Sequence, residues 1–310
     1  MFNKKSSRPS LALFVALALG SGALLAPSAA GAADVSGQNV EIDDVHAPSD
    51  NAIDPGGGPA FGTAAGFIGN VSDSGNVTNN TLTFRDRPGS HPYAYEKPLF
   101  GGLTFGTGNV TGNRVTVNPS TVHLMTSSVN GIYGGAANGG GSVLNNHAVF
   151  NGDHLNNDMV GGMTRTSGTG LVQGNTATLK GGSAHANIYG GMAVGGANGD
   201  VVGNTATIEG GTITGAGKIY GGYTDGTGKV TGNIANVTGG TAKDVYGGRS
   251  QNGNAEGNIA KVTGGSAQDV YGGHSQSGDT DGNSVEISGG AARTIYGGYS
   301  SGTGKAMNNT

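Results

Sequence analysis

The chain has 310 residues, 64 of them glycine, with no cysteine, no tryptophan and a formal net charge of −4. The glycines do not recur at every third position, which excludes a collagen helix, and the lack of cysteine excludes a disulfide scaffold. The mild acidity gives no electrostatic footprint for nucleic acid. Val, Ile and Thr recur at fixed places in a chain with only 12% charged residues, a composition that argues for order rather than disorder.

Residues 1–33 read as a secretory signal. Lys4, Lys5 and Arg8 form a basic start, "LALFVALALGSGALLAP" an apolar stretch, and "SAAGAA" a small-residue cleavage region, with cleavage expected near Ala32 or Ala33. Loss of these three of 16 basic residues, with all 20 acidic ones kept, would leave a mature charge of −7. No second long apolar run follows, so the mature chain is expected to be exported and soluble.

Residues 34–76 are read as an N-terminal coil and cap region, and 77–310 as a repeat domain. The repeat is an apolar residue, any residue, Gly or Asn, then Asn, followed by an alternating apolar strand. It runs "VTNNTLTF" from Val77, "VTGNRVTV" from Val110, "VLNNHAVF" from Val143, "VQGNTATL" from Val172 and "VVGNTATI" from Val201. It continues as "VTGNIANV" from Val230, "AEGNIAKV" from Ala255 and "TDGNSVEI" from Thr280, with "VSGQNVEI" from Val35 as an earlier, Gln38-bearing copy. Between successive Asn-equivalent positions the spacing falls from 42 through 33, 33, 29, 29 and 29 to 25, 25 and 26. Constant strands joined by variable loops produce such a series, and "RDRPGSHPYAYEKP" and "NPSTVHLMTSSVN" are the longest insertions. A second motif, an apolar or aromatic residue before glycine, rides on the first at Phe61, Phe100, Tyr133, Val160, Tyr189, Tyr220, Tyr246, Tyr271 and Tyr296. The chain closes on "AMNNT" from Ala306, an opening half-copy.

In "NIAKVTGG", Ala260 and Val262 lie two apart, as do Ala177 and Leu179, Ala235 and Val237, and Val285 and Ile287. Period two predicts strands with one face toward a core, and the Gly-Asn and Gly-Gly pairs predict turns with positive φ. One such coil buries too few side chains to offset its ordering entropy, so coils must stack and share hydrogen bonds with the coils above and below. The expected fold is all-β, a right-handed parallel β-helix of about nine coils, a rod of about 40–45 Å at the interstrand spacing.

A leader followed by "GNxAxVxGG…VYGGxS" units in a cysteine-free, Gly/Asn/Thr-rich chain resembles the passenger regions of Gram-negative autotransporters. The resemblance covers residues 34–310. It implies secretion to the outer-membrane surface or the extracellular space, a β-helical stalk, and roles in adhesion or aggregation. It also implies partners among surface glycans or proteins of host or sister cells. The family's C-terminal membrane barrel has no counterpart here, and with the last repeat incomplete the chain reads as a fragment that would partner its own translocator barrel.

Candidate chemistry is sparse. If Ile188, Ile219, Val245, Val270 and Ile295 face inward, Tyr189, Tyr220, Tyr246, Tyr271 and Tyr296 form an outward aromatic ladder, either a glycan platform or a self-stacked seal. The Asn column is expected to stack its amides at a corner. Asp244 and Asp269 fall in one column, where Lys218 is placed to pair with Asp244. "GGANGD" at 195–200 matches half of one calcium-binding repeat. Thr81/Thr83, Thr176/Thr178 and Thr205/Thr207 fit a Thr-x-Thr stripe, the pattern of an ice-binding face, which Ile234/Asn236, Ile259/Lys261 and Ser284/Glu286 break. Neither a catalytic set, a metal site nor a cofactor is expected. The enzymatic alternative is a secreted polysaccharide-degrading enzyme on the same scaffold, which needs carboxylates paired across a cleft. Asp43-Asp44 and Asp279 with Asp281 are the nearest approach to that. Specificity is expected in the insertions at 86–98 and 118–131.

Overall fold

A computed structural model describes residues 34–43, 68–72, 74–85, 98–118, 131–152, 154–166 and 168–310. The leader, the insertion 86–97 and residues 119–130 lie outside the described residues, as do Phe61 and Asp44. Within those described, the chain is a parallel β-solenoid without helix.

Each coil contributes to three sheets. The first holds ten two-residue strands, such as Val201–Val202 and Val230–Thr231; the second holds nine strands of four or five residues, such as Thr205–Ile208 and Ile234–Val237. The third holds twelve, including Lys218–Thr224, Thr241–Ser250 and Ser266–Ser275. Neighbouring strands pair in parallel, with a register shift only between Ile68–Ser72 and Leu99–Thr104 among the described residues, so like lies over like: Ala206 on Ala235 on Ala260, Tyr220 on Tyr246 on Tyr271. The described residues form about seven turns, slightly fewer than the nine expected. The two earlier copies add strands to the same sheets, but their connections lie outside the described residues.

The alternating positions behave as period two requires. Ala235 and Val237 are fully buried while Ile234 and Asn236 are half-buried on the other side. The main core lies between the second and third sheets, where Ala206, Ile208, Ala235 and Val237 meet Ile188, Ile219 and Val245. Each buried Ile or Val contributes about 1.5–3 kcal/mol, repeated at every rung.

The shrinking coil also has a structural cause. In the longer coils the third side is split into two strands, Thr212–Ile213 and Lys218–Thr224 in one case; in the shorter ones they fuse into Thr241–Ser250. Thr212 pairs with Thr241 and Lys218 with Asp244, so six steps of chain become three. What disappears is the turn at Thr214–Gly217, an outward kink that the stack does not need.

Candidate functional site

The turn before each Asn needs a left-handed residue, and every copy has one. Gly112, Gly174, Gly203, Gly232, Gly257 and Gly282 have φ between 59° and 67°, and Asn79, Asn145 and Asn308, the only non-glycines at this position, have φ of 51–55°. Asparagine is among the few side-chain-bearing residues that tolerate this conformation. The turn points the next residue inward: Asn80, Asn113, Asn146, Asn175, Asn204, Asn233, Asn258 and Asn283 all have no exposed surface. Asn204 donates to Asn233 Oδ1 from its backbone N and from Nδ2, both at 2.9 Å, and its Nδ2 also donates to the Val172 carbonyl at 2.9 Å. The same set recurs from rung to rung, so a polar column runs inside the solenoid with its donors and acceptors matched.

The glycine pair after each tyrosine has a different reason from the one expected. These glycines are not at turns and do not have positive φ; they lie inside the third-sheet strands. A Cβ on Gly222 would stand 2.5 Å from Asn233 Cγ, and one on Gly221 would stand 2.6 Å from the Ile234 backbone carbon. The strand thus crosses directly over the inward asparagine and the second sheet, and only glycine permits that approach. The first glycine is skipped in the pairing, since Tyr220 matches Tyr246 and Gly222 matches Gly248. This irregularity breaks the alternation of sides and brings Tyr220 and Tyr223, three residues apart, to ring contact at 5.4 Å.

The tyrosines stand in a cluster separate from the main core, as the inward Ile and Val positions require, but they are not exposed throughout. Tyr189, Tyr220 and Tyr246 are 7%, 4% and 6% exposed; Tyr271 is half-buried and Tyr296 is 38% exposed. Their rings stack on one another at centroid separations of 4.9, 5.0, 4.7 and 5.0 Å, with interplanar angles of 4–13°. Of the two arrangements expected for this column, an outward platform or a self-stacked seal, Tyr189, Tyr220 and Tyr246 have the burial and ring stacking of the seal. The column starts with Phe100 on Tyr133 at 4.8 Å, and Val160 lies between that pair and Tyr189.

A second column beside the first went unread in the sequence, although its signal is the fourth position of Tyr-Gly-Gly-x. It consists of Met163, Met192, Tyr223, Arg249, His274 and Tyr299 in register. Arg249 Nη1 donates to the Tyr220 hydroxyl at 3.3 Å, with its guanidinium 5.6 Å from the Tyr246 ring centroid. Gln251 Nε2 donates to the Tyr223 hydroxyl at 2.8 Å. His274 stands edge-on to Tyr246 and Tyr271, and burial, then the charges of Arg249 and Lys218, push its pKa down to about 4. Burial raises the phenols: Tyr220 to about 12, with Tyr246 and Tyr189 beyond the ordinary range.

A charged column flanks the tyrosines on the other side. Lys218 pairs with Asp244 at 2.8 Å as the spacing indicated, and Arg293 pairs with Asp269 at 3.1 Å. Burial would raise the Asp269 pKa, but hydrogen bonds from Arg293 and Thr294 outweigh it and hold the carboxyl low. The two carboxylates of this column are thus each bound to a cation. Asp279 accepts the Lys305 amide at 2.7 Å, and Asp281 accepts from Asn308 Nδ2 at 2.8 Å, both in turn-capping roles. In "GGANGD", the Gly195 and Gly196 amides, both at positive φ, donate to the Asp225 carboxylate of the next coil at 3.0 and 3.3 Å. Thr176/Thr178 and Thr205/Thr207 lie side by side in register on the outer side of the second sheet, half-buried, and the stripe stops at Ile234/Asn236.

Among the described residues, no group of three His, Cys, Asp or Glu could hold a metal, and no helix is long and apolar enough to cross a membrane. Comparison with known proteins returns no match: neither a family model, a curated protein nor a solved structure is significantly similar to the chain.

Proposed function

We propose that the protein is an exported, non-catalytic surface protein. In this reading it is a β-solenoid stalk of autotransporter-passenger type that mediates adhesion to, or aggregation with, host or sister cells. The observation that carries the reading is the unbroken register. Buried Asn, buried apolar and stacked Tyr columns run in parallel through successive coils, which makes a rod whose outward positions vary in chemistry while its inward ones stay apolar or Asn. Such a rod holds inserted segments away from the cell that makes it. The leader-like segment 1–33 supports export.

The test uses the native cell. The gene is epitope-tagged in place, and intact cells are probed with antibody and with external protease, alongside settling and surface-attachment assays of a deletion strain. Surface-exposed antigen with loss of aggregation or attachment on deletion supports the reading. Antigen confined to the cytoplasm, or an unchanged deletion strain, overturns it. The polysaccharide-degrading alternative predicts instead that purified protein releases reducing ends from extracellular polysaccharide.

A further inference from the structure

Lys229, Asn254 and Glu256 form a cluster that neither the core nor the tyrosine column accounts for. Val230 pairs with Ala255 and Thr231 with Glu256, so Lys229 and Asn254 stand one rung apart at the turn that leads into the first sheet. Lys229 Nζ is 3.4 Å from Glu256 Oε1, and Asn254 Nδ2 donates to the same oxygen at 3.0 Å. A single carboxylate oxygen therefore touches both an amine and the nitrogen of a carboxamide. At the other end of that carboxamide, Asn254 Oδ1 accepts the backbone N–H of Asp279 at 3.0 Å, which polarises its carbonyl. Each contact alone is an ordinary surface interaction of little energy. Together they gather a nucleophile, a proton carrier and an oxyanion donor around one carbonyl carbon. Lys218 and Asn187 also stand one rung apart, but without this arrangement: Lys218 Nζ pairs with Asp244, whereas Asn187 Nδ2 donates to Asp158.

We propose that Lys229 and Asn254 join in an intramolecular isopeptide bond, with Glu256 as the catalytic residue that moves the protons. Glu256 Oε1 takes one proton from the Lys229 ammonium, and the lone pair of the amine forms the Nζ–Cγ bond to Asn254. The carbonyl electron pair moves onto Oδ1, opposite the Asp279 N–H. Glu256 passes its proton to Nδ2 and takes a second one from Nζ. As the carbonyl re-forms, the Cγ–Nδ2 bond breaks, and the nitrogen leaves with the second proton as ammonium. Nothing is oxidised or reduced, and Glu256 ends as the carboxylate it began as. The rate comes from holding the three groups together on adjacent rungs. The side chains of Lys229 and Glu256 are 56% and 33% exposed, so the ammonia escapes into solvent. The product ties two successive coils covalently in a chain that has no cysteine for a disulfide. By closing the chain between the two residues it limits the opening of that part of the stack. The crosslink does not depend on the adhesive reading.

The test follows the intact mass of the purified full chain, kept folded for days. The mass is expected to fall by that of one ammonia. Trypsin should then fail to cut after Lys229, and peptides 219–243 and 250–261 should appear as one branched species. Glu256→Gln keeps the size of the side chain but cannot take the proton, so the bond should form about 100-fold more slowly. Lys229→Arg should give no branched species. Both substitutions lie on the surface, and β-sheet circular dichroism verifies that the variants are folded. An unchanged mass with trypsin cutting at Lys229 overturns the proposal. So does a loss of ammonia carried by the linear peptide 250–261, the mark of a succinimide at Asn252–Gly253. A branched species that forms at the same rate in Glu256→Gln overturns the catalytic role of Glu256.

Discussion

Asn233 donates to the Oδ1 of Asn258 twice, from its backbone nitrogen at 3.0 Å and from its side-chain Nδ2 at 3.0 Å, so one oxygen closes two donors of the coil below it. Neither residue has any surface in contact with solvent. Truncating Asn258 to Ala removes that acceptor and leaves the Asn233 backbone N–H without its partner in the interior, while Nδ2 keeps its bonds to the Val201 and Thr231 carbonyls. The expected loss is about 1–3 kcal/mol, the cost of one unsatisfied buried donor. Urea unfolding followed by the β-sheet circular dichroism signal measures it, and a loss under about 0.5 kcal/mol, the scale of an ordinary surface change, would show that the ladder does not hold the corner.

Two glycines of neighbouring coils separate the two reasons for glycine. At Gly222 a methyl group would strike the Asn233 amide, so Gly222→Ala is expected to cost more than about 2 kcal/mol through overpacking. At Gly232, φ is +63° and nothing lies within 4 Å of an added Cβ. Gly232→Ala should therefore cost about 1 kcal/mol, from backbone conformation alone. Gly232→Asn should cost less than Gly232→Ala, since Asn79 and Asn145 already occupy the equivalent turn. Midpoints of unfolding for the three variants give the order directly, and a tolerated Gly222→Ala would refute the close-approach explanation.

His274 makes stability depend on acid. Its folded pKa, about 4, lies below the usual 6.5, so the unfolded chain binds more protons between those values. Stability from this site is complete above about pH 6.5 and declines as the pH falls toward about 4. The groups facing the ring are Arg249, Lys218, Tyr246, Tyr271 and Tyr299. Because the ring is only half-buried, the expected effect is about 1–2 kcal/mol after allowance for solvent screening. His274→Tyr, the residue found at Tyr223 and Tyr299 in the same column, should flatten that part of the profile. Equal slopes for the two proteins between about pH 4.5 and about pH 7 would remove the histidine from the account.

The tyrosines give the alkaline counterpart. The folded pKa values of Tyr189, Tyr220 and Tyr246 are raised by burial above the ordinary value of 10.0, Tyr220 to about 12, so the unfolded chain releases protons first and stability falls as pH rises past 10. Phenolate absorbance from this inner column should rise only as the β-sheet signal collapses. A single smooth titration near the ordinary value with the β-sheet signal intact would mean that the inner rings are open to water.

Much of the molecule is legible in the residues themselves. The Asn-equivalent positions and the paired apolar residues after them mark the corner and the strand of each coil, because a periodic stack must repeat whatever its interior requires. Ala260 with Val262 shows the inward side of a strand, since two residues return to the same side. The column of Lys218, Asp244 and Asp269 follows from counting alone. What the sequence could not decide is where the outer side chains go after a glycine pair. Period two places Tyr220 and Tyr223 on opposite sides, and the irregularity at Gly221 puts them on the same one. That reversal buries the rings, brings Arg249 and His274 against them and decides between the open platform and the closed stack in favour of the stack. It arises from contact between coils, from the room that Asn233 and the Ile234 backbone leave above them, and no residue within a single repeat records that distance.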